Sequence, residues 1–215
     1  HIKNYIEYIG TKTHDVIVQE FKFTRFYSHY CVFFEAVNLL DHMNMKINYS
    51  VFEKYISILG NFLQDNSRKH PNKDVNTRYL ALDSLSKLCK YSKKERIYNE
   101  HFNMIVSSIR DNDLSLRRRA LDLLFIIATE DSVKKICKEL LIYLTEDEQT
   151  LKEEVALKIA ILADKYADEY IWYIDTILKM MEVAGDYVTE DIIYRFYQIV
   201  VGFEDQEPNE KIKIN

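Results

Sequence analysis

The sequence is short of the residues that punctuate a chain: 4 Gly and 2 Pro in 215 positions. Sheet-rich folds need many tight turns, and tight turns draw on both residues, so the shortage argues for helices. Cysteine is scarce too. Cys31, Cys89 and Cys137 are far apart, odd in number and form no C-x-x-C pair. That argues against a disulfide framework or a zinc module, and for a reduced, cytosolic setting. No apolar run approaches the length that spans a bilayer; "LLFIIA" at 123–128 is about as long as they get. No signal-peptide pattern opens the chain. Positive charge is not in excess either. The net charge is −5, which argues against a global field for nucleic acid, although an acidic chain can carry a local basic patch. The chain opens on His1 and closes on "NEKIKIN", and it reads as a piece of a longer protein.

What is present is material for a helical core. Hydrophobic residues make up 47% and charged residues 29%, a balance unlike that of disordered chains. Apolar periodicity predicts helices near 29–43, 50–64, 75–90, 97–109, 114–129, 132–144, 150–166, 168–184 and 188–202. The clearest starts at Asp113, an N-cap residue, and runs its stripe through Leu116, Ala120, Leu124 and Ile127. Leu151, Val155, Ile159 and Leu162 make a second stripe of the same kind. In "YADEYIWYIDTILKMM" the expected core stripe is Ile171, Ile174, Ile177 and Leu178, with aromatics sealing the crevice beside it. Residues 1–27 are β-branched, aromatic and weakly patterned, and read as an irregular or partly helical segment. Residues 65–74, "DNSRKHPNKD", form a polar loop, and 203–215 a polar tail.

A repeat underlies the pattern. "DVNTRYLALDSL" from Asp74 aligns without gaps on "DLSLRRRALDLL" from Asp113. Weaker copies begin at Glu148 and Asp186, giving spacings of 39, 35 and 38 residues. Helix pairs repeating every ~40 residues mark HEAT and armadillo solenoids. The expected fold is therefore all-α, an α-α superhelix of about nine helices in antiparallel pairs that share one core by stacking. The signature positions are Asp74, Arg78, Asp113, Arg117, Arg118 and Asp122. Helical spacing sets Asp113 against Arg117 and Arg118 against Asp122, and an arginine can also reach an acid of the next repeat. The competing reading gives Arg118 and Arg119 to a phosphate or lipid headgroup. Nucleic acid is disfavoured, since no aromatic and basic interleaving accompanies the run.

The chain offers little to catalysis. The six histidines form no H-x-x-x-H or H-E-x-x-H pair. "DNDLSLRRRALD" at 111–122 begins like a calcium loop but has Leu116 where glycine must turn the chain and Asp122 where glutamate closes it. Glu153 and Glu154 are adjacent and diverge on a helix, and no phosphate-binding or nucleophile-elbow motif occurs. No catalytic residue, metal or cofactor is expected, and the chain reads as a non-enzyme. Trp172 and Tyr173 are the candidates for anchoring a partner subunit, because such side chains dominate interface energies.

At 151–200, "KIAILADKYA", "WYIDTIL" and "AGDYV" resemble the trunk of the adaptins, the large subunits of clathrin adaptors, and their alpha type most. "VFFEAVNLL", "NTRYLALDSL" and "SLRRRALDLL" are similar to earlier trunk segments, so the resemblance spans about 28–202. It implies adaptin trunk repeats over 28–202 and a mid-trunk scaffold, cytoplasmic and peripheral to the membrane at plasma-membrane coated pits. The implied partners are a beta-type large chain, a medium chain and a small chain. Clathrin and phosphoinositide membrane would be met by other parts of the parent chain or complex. Residues 10–27 and the loop 65–74 depart from the family pattern. The alternatives are a gamma-type adaptin of Golgi or endosomal adaptors, or an unrelated HEAT scaffold such as a transport receptor.

Overall fold

A computed structural model describes residues 34–35, 37–38, 49–63, 75–91, 93–146 and 150–201. The segment 1–27, most of the helix expected at 29–43, the loop 65–74 with Asp74, and the tail 203–215 lie outside the described residues. Among the described residues there are eight α-helices and no strand. They are α1 (Tyr49–Leu63), α2 (Val75–Leu88), α3 (Lys94–Ser108), α4 (Leu114–Ile127), α5 (Val133–Thr145), α6 (Lys152–Tyr166), α7 (Tyr170–Ala184) and α8 (Glu190–Val201). Residues 34–35 and 37–38 are helical as well. The all-α expectation holds, and the helix ends fall within three residues of the sequence reading. The largest difference is at α3. Its first turn, Lys94, Glu95 and Arg96, is polar and so carries no periodic signal, while extended Lys93 and acidic Glu95 mark the true start.

The chain divides into two compact units, His1–Ile126 and Ile127–Asn215. In the first, α1 packs on both α2 and α3. In the second, α5 packs on α6 and α7, α6 on α7, and α7 on α8. Each unit thus shows the solenoid rule: a helix touches its hairpin partner and the equivalent helix of the next pair.

The expected stripes are the core. Leu116, Ala120, Leu124 and Ile127 of α4 have no exposed surface, and Val155 and Ile159 of α6 have none either. Tyr55, Ile56 and Leu59 of α1 join Leu82, Leu85 and Leu88 of α2 and Ile97 and Ile105 of α3 in the first unit. Each fully buried aliphatic side chain of this size contributes about 1.5–3 kcal/mol. Phe34 reaches this core by packing its ring on Phe62, centroids 5.3 Å apart. Two thiols complete the interior: burial pushes Cys89 up to about 11 and Cys137 up to about 12.

The stripe expected on α7 is corrected. Ile171 is 67% exposed and Leu178 49%, while Tyr173, Thr176, Ile177, Met180 and Ala184 face inward. This helix is apolar nearly all round, so hydrophobicity alone could not choose its buried side. It ends at Gly185, whose φ of 51° lies in the left-handed region that favours glycine, and a short 3-10 turn follows over Gly185–Tyr187.

Helices α1 and α3 approach closely at Gly60. A Cβ there would overlap the His101 imidazole. The ring is buried, with Nε2 donating to the Ile56 carbonyl at 3.1 Å and Nδ1 unpartnered. Burial holds the imidazole below its ordinary value of 6.5, more than nearby Glu100 raises it. We expect Gly60→Ala to destabilise the chain by about 1–3 kcal/mol in urea unfolding, because the added methyl would overlap the buried His101 ring. His101 also makes stability depend on pH. The unfolded imidazole takes up a proton below 6.5 that the native one resists, so stability is complete above that pH and declines as pH falls through it. The urea midpoint should fall between pH 7.5 and 5.5 in the wild type, and this component should vanish in His101→Gln.

Candidate functional site

Of the charged signature residues, Arg78 reaches the next repeat, and Asp113 starts a helix. Asp113 caps α4: its carboxylate accepts the Leu116 N–H at 2.8 Å, and its carbonyl accepts the Arg117 N–H at 3.0 Å. The Asp113 carboxylate is therefore turned toward the helix start. Arg78 of α2 reaches forward to Asp111, in the turn before α4, at 2.5 Å. Burial alone would raise the Asp111 pKa, but the Asp113 N–H and the Arg78 guanidinium together hold it below its ordinary range. Arg119 of α4 reaches back to Asp83 of α2, and comes within 4.0 Å of Asp122 on its own helix. Asp83 also accepts from Lys87 at 2.8 Å, and Lys87 donates to Asn38 at 2.6 Å. A polar line therefore runs from residue 38 through α2 to α4. In the second unit Arg195 of α8 meets Asp164 of α6 at 3.4 Å.

The arginine run thus has divided roles. Arg119 is spent on Asp83 and Asp122, which leaves its charge compensated and weakens its candidacy for a headgroup. Arg118 is exposed and Arg117 half-buried. The pairing of Arg119 with Asp83 was not foreseen. The available signal was charge spacing: Asp83 and Arg119 lie 36 positions apart, and the other ion pairs between repeats 33, 34, 35 and 31, all close to the repeat length.

Trp172 and Tyr173 point different ways. Tyr173 is 3% exposed and stacks on Phe196 of α8 at 6.2 Å, so it is an interior residue and not one a partner can reach. Burial, with Asp164 adding, pushes its phenol up to about 12. Trp172 instead lines an open groove of about 450 Å³ between α5 and α7. Lys134 of α5 lies 5.9 Å from the Trp172 ring centre and bridges to Asp168 at 3.2 Å and Glu169 at 3.3 Å, just before α7. No group of three or more His, Cys, Asp or Glu side chains that could hold a metal occurs among the described residues. No described helix is long and apolar enough to cross a membrane.

The Asp83–Arg119 pair is testable as a link between repeats. Its side chains are 18% and 24% exposed. A double-mutant cycle of Asp83→Ala and Arg119→Ala, read by urea unfolding, should give a coupling of about 1 kcal/mol.

Comparison with known proteins places this architecture. The profile of the adaptin N terminal region matches residues 4–209, running through residues 10–27. The chain is 37% identical over 179 residues to AP-2 complex subunit alpha-1 of Arabidopsis thaliana, covering 83% of this chain and 17% of that protein. It is 39% identical over 176 residues to AP-2 complex subunit alpha-2 of Dictyostelium discoideum, covering 81% and 17%. Similarity to AP-1 complex subunit gamma-2 of Arabidopsis thaliana is lower, 33% over 174 residues, covering 81% and 19%. The chain therefore spans about a sixth of the length of these curated relatives. With stacked helical hairpins, repeating interhelical ion pairs and a profile match over nearly its whole length, the chain belongs to the adaptin family and is of the alpha type.

Proposed function

We propose that this chain is a mid-trunk scaffold segment of a clathrin adaptor large subunit. In this reading it supports assembly of the adaptor complex for endocytosis and vesicle transport. The observation that carries it is the 37–39% identity to AP-2 alpha subunits over four fifths of the chain. The polar line from residue 38 through α2 to α4 fits the role, because a scaffold that positions other proteins must resist sliding of one hairpin past the next. Residues 28–202 are assigned to the trunk repeats. The assigned partners are a beta-type adaptin, a medium chain and a small chain, and Trp172 is the side chain proposed to meet one of them. The chain performs no catalysis of its own. It works in the cytoplasm at the membrane periphery, in plasma-membrane coated pits, with clathrin and phosphoinositide contacts made elsewhere in the parent protein or complex. The gamma-type reading is disfavoured by its lower identity.

Coexpression tests the proposal. The parent chain containing this segment should copurify with beta, medium and small adaptor chains in one complex. A parent chain that assembles with none of them, and binds a nuclear transport cargo instead, overturns the assignment.

A further inference from the structure

The groove between α5 and α7 carries more than a single aromatic anchor. Its walls run from Lys134 to Thr145 on α5 and from Trp172 to Val183 on α7. At 1.5 Å per residue each wall is about 16 Å long, the length of a three-turn helix. The apolar lining is Leu141 and Ile142 on one side and Trp172 and Val183 on the other, with Ile142 42% exposed.

The rims differ in charge. On α5 the groove is edged by Lys134 and Lys138, one turn apart. On α7 it is edged by Asp175 and Glu182, two turns apart, with Lys179 between them. Lys134 is held by Asp168 and Glu169. Lys138, Asp175, Lys179 and Glu182 make no hydrogen bond or ion pair among the described residues. An apolar slot with a cationic edge, a mostly anionic edge and uncommitted charges on both does not suit an anionic lipid surface, which would meet Asp175 and Glu182. It suits an amphipathic helix laid along the slot.

We infer that this groove docks a short amphipathic helix of a partner protein, about three turns long. Its aliphatic stripe seats between Ile142 and Trp172, its acidic edge lies along α5, and its basic edge lies along α7. This goes beyond the scaffold role: it gives the form in which a partner meets Trp172, and it stands whether or not that partner is an adaptor subunit.

Trp172 is the chain's single tryptophan, so its emission reports the groove directly. The probes are stapled, tryptophan-free 14-residue helical peptides with leucine at three-four spacing. One carries Glu on one flank and Lys on the other, one carries Lys on both, and one carries Glu on both. The mixed peptide should shift Trp172 emission saturably and bind the 215-residue chain at least tenfold tighter than either single-sign peptide. Lys138→Glu cancels the net positive charge of the α5 rim and leaves the groove net anionic, and should turn the preference toward the all-Lys peptide. Ile142→Asp should weaken the mixed peptide at least tenfold with helix content by circular dichroism unchanged. Emission that ignores the mixed peptide, or responds equally to all three, overturns the inference. So does emission that shifts with chain concentration alone, which would make a second copy the occupant.

Discussion

A helical hairpin of this size cannot hide both apolar sides of its helices, and that constraint governs the molecule. Helix α1 shows it directly. Tyr55, Ile56 and Leu59 are all without exposed surface, because α2 covers one side and α3 the other. In the second unit α7 repeats the arrangement, packed on α5, α6 and α8. The core is shared property, and stability resides in contacts between successive pairs rather than within any one of them. His101 enters such a seam with Nε2 matched by the Ile56 carbonyl and its ring in the space left by the bare Gly60.

Apolar burial holds the pairs together but leaves their register soft, since one oily ridge slides on another at little cost. The directional contacts supply register. Arg78 with Asp111 and Arg119 with Asp83 tie α2 to the α4 repeat from opposite directions, one reaching forward and one back. Two such ties fix both translation and rotation. Individually they are modest contributors, since their side chains keep roughly a fifth of their surface in water. Their value lies in selecting one arrangement among several of similar apolar burial.

Much of this was legible in the sequence. The stripes of α4 and α6 are buried as their spacing required, because each has a polar face for contrast. Asp113 announces its helix start, and the structure shows it capping. Helix α7 was misread because Ile171, Ile174, Ile177 and Leu178 compete with Tyr173, Thr176 and Met180 for the same core, and composition does not rank them. The aromatic pair divided as well: adjacent residues on a helix stand about 100° apart, and here Tyr173 faces inward while Trp172 lines the groove. An arginine reaching an acid of the neighbouring repeat was expected in kind, but the pair Arg119–Asp83 was not named, because the repeat spacing alone does not say which charges face the neighbouring helix. The Gly60–His101 approach left no periodic trace at all.

The buried thiols of Cys89 and Cys137 have a practical corollary. A thiol attacks as its thiolate, and burial that holds these two so far above neutrality keeps both poor targets for alkylating and oxidising reagents. Any modification at either position must wait for its surroundings to part. The two sulfurs, one just beyond α2 and one on α5, therefore serve as separate chemical clocks for local opening in the two halves of the chain.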